Sequence, residues 1–512
     1  MTDFTKKMKK EYTILCPDFF PTHMDLFEAI FRKNGYKLTI VRDEGEEVIR
    51  TGLKYVHNDM CYPAICSIGQ LIYALNSGKY DVHKTALIFF QTGGGCRASN
   101  YIFLLRKALE ELNLGFVPVI SVSFTGLEKY SGFKITPLMI RQAFATIVYG
   151  DMLLLLKNQV APYELTAGDA DNAVKLWIKT LSEAFLKGRG YKKNEVKTNL
   201  ALMADSFAAI PVSDKKLIKV GIVGEIYVKY SSFANRGLER LLSREGCEYM
   251  IPGVTGFLQY CAANFSTDHD YYGGSFIKYF VGRTAEKILE RYEGYVEAAL
   301  SPYPRFVAPL PFERVKRLAE KVIDRGVKMG EGWLLPAEIA ELIEKGYDNV
   351  VCVQPFGCLP NHIVAKGTIR RIRELYPEAN VFPVDYDAGA SAVNQENRIK
   401  LMLSIARENA AKKEDRDTVR FVAERLAAVT DGTVNADSFK DGDTLNGAGG
   451  NSDDKAGAGG DGVTVDGVTV DDAPHESAAA TKLYGETNGA DGSQNGAASL
   501  AANSDKTRGE AV

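Results

Sequence analysis

The chain has 512 residues, 46% of them apolar, and a formal charge of −3. That is enough for two or three domains with a sizeable core. The charge is unevenly placed: residues 431–512 hold 15 Asp and Glu against 5 Lys and Arg, which leaves +7 on the first 430 residues. A mild positive balance suits an anionic small molecule or an acidic surface. It falls far short of the dense basic patch of a nucleic-acid binder, so no nucleic-acid partner is expected.

The first residues, MTDFTKKMKKEYTILCPDFF, carry no apolar stretch after the lysines, and no signal peptide is read there. No charge-free apolar run of about 18 residues is found, so no membrane partner is expected either. The expected setting is cytoplasmic. Eight cysteines in a reducing compartment point to metal binding or catalysis more than to disulfides. The competing reading is that they are small buried hydrophobes.

In chain order, YTILCP (12–17) is strand-like, HMDLFEAIFRKNGY (23–36) has helical spacing and stops at Gly35, and LTIVR (38–42) is strand-like again. AICSIGQLIYALNSG (64–78) is helical. TALIFF (85–90) is a continuous apolar strand followed by the loop QTGGGCRASNY. SNYIFLLRKALEEL (99–112) opens on Ser with an apolar stripe, and VPVISVSF (117–124) is the next strand. This alternation with short connections predicts parallel βαβ units, hence an α/β fold. Residues 135–212 lack clear strands and read as a helical bridge. A second α/β pattern begins at KLIKVGIVGEIYV (216–228) and runs through a helix and short strand in RGLERLLSREGCEYMIPG. It continues with the helix 336–346, the strand NVVCVQPF (349–356), the helix 361–377 and the strand and turn 379–389. The predicted division is an N-terminal α/β domain (1–134), the bridge (135–212), a second α/β domain (213–430) and a tail (431–512). The tail is rich in Gly, Ala, Asp and Ser with only Phe439 and Tyr484 as aromatics. Such a composition cannot offset its ordering entropy, so disorder is expected there.

Two loops echo one another. ALIFFQTGGGCRASNY and NVVCVQPFGCLPNHI each run from an apolar strand through a Gln and a Gly-Cys pair into a helix. Cys96 and Cys358 therefore fall at strand C-termini and helix N-termini, where open α/β sheets place ligands and where thiol pKa values are lowered. NDMCYPAICSIGQL places Cys61 just before a helix in the same way. Three loop cysteines separated by 35 and then 262 residues match neither a zinc ribbon nor a ferredoxin. Convergence on one metal site and unconnected core thiols both remain open from spacing alone. No P-loop, complete G-x-G-x-x-G or H-E-x-x-H motif occurs. His57 and His362 read as surface or loop groups. Glu225, at a strand end in GEIYVKY, is a candidate catalytic acid, with a structural carboxylate capping a neighbouring helix as the alternative.

These same stretches, with VGEIYVKYSSFANRGLERLLSREGCEY, GEGWLLPAEIAEL and QPFGCLPNHIVAKGTIRRIR…PVDYDAGASAVNQENRIKLML, resemble the dehydratase-like portion of the 2-hydroxyacyl-CoA dehydratase and CoA-enzyme-activase group, related to benzoyl-CoA reductase subunits. The resemblance covers about residues 10–410. It implies two Rossmann- or flavodoxin-like domains and a [4Fe–4S] cluster held by Cys61, Cys96 and Cys358 with one iron open. Cys16, which ends the first strand, is the candidate for a fourth ligand.

It further implies one-electron, low-potential chemistry on an acyl-CoA or similar small-molecule substrate, fed by an ATP-hydrolysing activator. No phosphate-binding segment of the actin-like kind is recognisable here, so that activator is expected as a separate chain. A homo- or hetero-oligomer is left open. The alternatives are a non-catalytic electron-transfer subunit and a structural zinc protein. A double-cubane centre using Cys16, Cys66 and Cys352 as well is disfavoured. Cys352 lies six residues down its strand from Cys358, at about 3.3 Å per residue. Cys66 lies about one and a half helical turns past Cys61 and faces another side.

Overall fold

The computed structural model describes residues 2–91, 95–123 and 132–430. Its strands form two four-stranded sheets. The first contains β1 (Thr13–Pro17), β2 (Lys37–Val41), β3 (Thr85–Gln91) and β4 (Val119–Ser123) in the order β2-β1-β3-β4. The second contains β5 (Ile218–Gly224), β6 (Cys247–Met250), β7 (Asn349–Pro355) and β8 (Asn380–Tyr386) in the order β6-β5-β7-β8. Every pairing is parallel, and the protein is α/β as expected. The two orders are the same permutation, so β7 is to the second sheet what β3 is to the first. In each, the strand order reverses beside the first strand, the place where doubly wound sheets open a crevice at their C-terminal edge.

The central strands are apolar throughout because helices cover both faces. β7 buries six consecutive residues, whereas β8, at the sheet's edge, alternates. Between the sheets run the helices Pro137–Val160, Asp169–Leu186 and Lys193–Ala208. One apolar cluster passes from Ile14, Ile88 and Ile120 of the first sheet through Val148, Met152, Leu156 and Phe185 to Val350, Cys352 and Val381 of the second. The helix Pro137–Val160 starts at Thr136, whose hydroxyl caps the Met139 N–H. It is long and apolar enough to cross a membrane, but 56% of its apolar window is buried within the protein, the mark of a core helix.

Some elements depart from the sequence expectation. The strand read over 216–228 stops at Gly224, and Glu225 caps a short helix, Ile226–Tyr230. The helix read over 361–377 divides into a wide turn, Asn361–Ala365, and a regular helix, Ile369–Leu375. The helices Glu46–Tyr55, Val254–Tyr272, Phe276–Leu300, Phe312–Val322 and Ala392–Thr430 were not anticipated as elements. Two further expectations lie outside the described residues: the acidic tail from residue 431, and Thr92 to Gly94 of the glycine loop.

Candidate metal centre

Cys61 is the N-cap residue of the helix Tyr62–Asn76, and Cys96 that of a one-turn helix, Arg97–Asn100, leading into Tyr101–Glu111. Cys358 follows β7 and the turn at Gly357. The three loops touch. The Arg97 guanidinium donates to the Asp59 carbonyl oxygen, joining the Cys96 loop to the Cys61 loop. The Tyr62 N–H donates to the Phe356 carbonyl at 3.0 Å, joining the Cys61 loop to the Cys358 loop. Gly330 closes the ring: a Cβ there would lie 2.6 Å from Pro360 Cγ and 3.8 Å from Cys96 Cβ.

Gly357 brings its turn against the Cys61 backbone. Its φ is +73°, and a Cβ on it would stand 3.0 Å from Cys61 Cα and 3.2 Å from Cys61 N. Only a residue without a side chain both turns the chain there and lets the Cys358 loop lie on Cys61.

Cys61 and Cys358 are buried and Cys96 is half-buried. All eight cysteines are free. Cys61 Sγ lies 2.8 Å from the Tyr101 hydroxyl, and Cys358 Sγ accepts from Asn361 Nδ2 at 3.2 Å. Burial pushes the Cys61 thiol up to about 11, against the Tyr101 hydrogen bond. Burial raises Cys96 and Cys358 as well, and the carboxyls of Glu331 and Glu225 add to both. Ionising these thiols falls to whatever binds there; a metal deprotonates a coordinating thiol outright.

Two acids border the thiols. Glu225 Oε2 accepts from the Val228 N–H at 2.9 Å, so its carboxyl caps its own helix, Ile226–Tyr230, rather than a neighbouring one. Glu331 Oε1 accepts from the neighbouring Ile226 N–H at 3.1 Å. Burial raises the pKa of both, and Glu225 is raised further by Glu331. Lys229, one turn on, is taken by Glu338: its ammonium donates to both carboxylate oxygens at 2.8 and 3.0 Å, with both side chains 3% exposed.

Glu331 was not singled out from the sequence. Its signal was the Gly-Glu-Gly-Trp run: Gly330 and Gly332 both have positive φ, and Tyr260 donates to the carbonyls of Lys328 and Gly330, holding the loop that presents Glu331.

Cys16 does not join the three. Alternation along β1 turns it to the opposite face from Leu15, into the core shared with Ile14 and Ile88, while Cys61 packs with Leu15, Leu87 and Phe89. Its thiol hydrogen-bonds the Pro17 carbonyl at 3.4 Å. The structure thus does not bring Cys16 together with the three loop cysteines. Cys66 faces the core with Tyr62 and Val351, and Cys352 is fully buried within β7.

Thiols are the donors that soft metals take, and the three loops that carry them touch, with Tyr101 and Asn361 engaging two of the thiols. Among the described residues, no three His, Cys, Asp or Glu side chains are grouped to hold a metal ion. No protein-family model matches the chain, and none of the curated proteins compared with it matches either.

Proposed function

We propose that the chain is an iron–sulfur protein of the 2-hydroxyacyl-CoA dehydratase type, in which Cys61, Cys96 and Cys358 hold a [4Fe–4S] cluster. The observation that carries this is the meeting of three cysteine loops drawn from segments 35 and 262 residues apart. The resemblance of the chain's long motifs to that family supports it. When bound, the cluster supplies a low-potential electron and an open iron for an acyl-CoA-like substrate.

The chain's own part is to keep water from the site and to hold protons beside it. Burial keeps the Glu225 and Glu331 carboxyls protonated beyond the usual carboxylate range, so they are suited to deliver a proton as charge develops on a substrate. The electron source in this reading is a separate ATP-hydrolysing activator chain, and the setting is a reducing compartment such as the cytoplasm. A non-catalytic carrier subunit is the second reading, favoured by the capping hydrogen bond that already occupies Glu225.

Anaerobic purification with iron, sulfide and EPR analysis tests the proposal. About four irons and four sulfides per chain are expected, lost on Ser substitution of Cys61, Cys96 or Cys358 and kept on substitution of Cys16, Cys66 or Cys352. Iron-free protein overturns the cluster. About eight irons per chain overturn the single cubane in favour of a double one.

A further inference from the structure

A cavity of about 110 Å³ lies among the helices Pro137–Val160, Phe276–Leu300, Phe312–Val322 and Leu334–Glu344. A strap of chain, residues 307–311, forms one wall. Side chains from three helices hold this strap in place. Gln159 Oε1 accepts from the Val307 N–H at 2.7 Å, and its Nε2 donates to the Val307 carbonyl at 3.1 Å. Glu341 Oε1 accepts from the Leu310 N–H at 2.8 Å, and Glu293 Oε1 from the Phe312 N–H at 2.7 Å. Pro309 and Pro311 stiffen the strap further. The cavity is therefore preformed, as ligand sites usually are.

Much of its wall is apolar, including Val148, Met152, Val296 and Leu342. Its charges are unbalanced. Among the described residues, Lys345 is the one cation in the lining, against Asp151 and four glutamates. Asp151 is engaged by the Val254 and Thr255 N–H groups, and Glu338 by Lys229. Glu293, Glu297 and Glu341 are left with Lys345, whose ammonium form burial disfavours.

Holding the strap does not call for acids. Gln159 binds Val307 with a neutral amide, and Gln at 293 or 341 would accept the same N–H groups without burying an ionisable group. Burial pushes both carboxyls up to about 7. What a carboxyl adds over an amide is a negative charge, and a cation entering the cavity would favour that charged form. Gln259, 3% exposed, points the same way. Its Nε2 lies near enough to favour the Glu293 anion, yet meets no acceptor in hydrogen-bonding geometry.

We propose that this cavity binds a small aliphatic ammonium compound, its cationic head between Glu293 and Glu341 and its alkyl chain against Val148, Met152 and Leu342. The volume sets the size: a cavity of about 150 Å³ admits benzene, so this one holds roughly four or five non-hydrogen atoms. Glu297 and Pro311 line the cavity and are exposed, so it opens to solvent beside them. The site does not depend on what the cysteine loops bind.

Calorimetric titration of the full chain with n-butylamine, butan-1-ol and butyrate tests it. Saturable binding of one butylammonium per chain is expected, with the alcohol and the acid weaker by about tenfold or more, as the loss of a hydrogen bond to a charged group implies. The methyl resonances of Met152 and Met250, both on the cavity wall, should shift with the amine. Glu293→Gln together with Glu341→Gln should abolish the preference for amine over alcohol and leave the circular dichroism unchanged. Butan-1-ol binding as tightly as the amine overturns the proposal and leaves a merely apolar cavity. So does the absence of saturable amine binding, or a preference that survives the double variant. Amine binding that leaves the Met152 methyl unmoved places the ligand elsewhere and overturns it too, a readout that holds even where the double variant fails to fold.

Discussion

Lys229 and Glu338 form a deeply buried ion pair beside the candidate site, and Lys229 also acts on the nearby carboxyls of Glu225 and Glu331. A buried pair contributes little net stability, but breaking it strands a charge. Lys229→Met is expected to lower unfolding free energy by about 3–5 kcal/mol, read by urea denaturation, and adding Glu338→Leu should recover most of it. Independent, additive losses in the double variant would refute the pairing. Asp151 is the other concentrated residue. It accepts from the Val254 and Thr255 N–H groups at 2.8 and 2.7 Å and from the Thr255 hydroxyl at 2.6 Å, and lies 3.0 Å from His23 Nε2. It therefore caps the helix Val254–Tyr272 from a different helix, 103 residues away. Asp151→Ala should cost about 2 kcal/mol, the upper range for a lost cap.

Turns rather than helices decide whether the three cysteines meet. Gly357 and Gly346 both have positive φ, but a Cβ on Gly346 meets nothing within 4 Å, whereas one on Gly357 meets the Cys61 backbone. Gly346→Ala pays only for backbone conformation, about 1 kcal/mol. Gly357→Ala must also push the Cys358 loop off Cys61. It should destabilise the fold by more than Gly346→Ala and lower iron content in anaerobically prepared protein, measured side by side. Equal melting temperatures for the two variants would show that the loops do not rely on this approach.

Across the whole molecule, buried carboxyls set the response to pH. Glu293 accepts from the Phe312 N–H and Glu341 from the Leu310 N–H, and burial pushes each carboxyl up to about 7. Both line a cavity of about 110 Å³ among the helices that join the sheets. A carboxyl whose folded pKa exceeds its unfolded value holds its proton longer when folded. Its contribution is complete below about 4.5 and is lost as pH rises through about 7. Unfolding free energy should thus fall with rising pH across that window, by at most about 1.4 kcal/mol per pH unit for each proton. The double variant Glu293→Gln, Glu341→Gln keeps an acceptor for each N–H and should flatten the curve. An unchanged slope in the variant would show that other groups govern it.

The sequence by itself determined the α/β class, the strands that carry the loops and the placing of Cys96 and Cys358 after equivalent strands. Each of these is local: an apolar run, a glycine turn and a helix start are legible in a dozen residues. TALIFF and NVVCVQP announced β3 and β7 because both faces of a central parallel strand are buried. Only the tertiary structure decided which side chains share a place. Cys16, at the end of the first strand, reads in the sequence as a candidate fourth ligand, yet strand alternation turns it to the other face of the sheet from Leu15. Glu331 lies 106 residues from Glu225 and reaches it only because the loop held by Tyr260 folds back over β5's end. Contacts between segments far apart in the chain depend on register and packing, and those are properties of the assembled layers rather than of any one stretch.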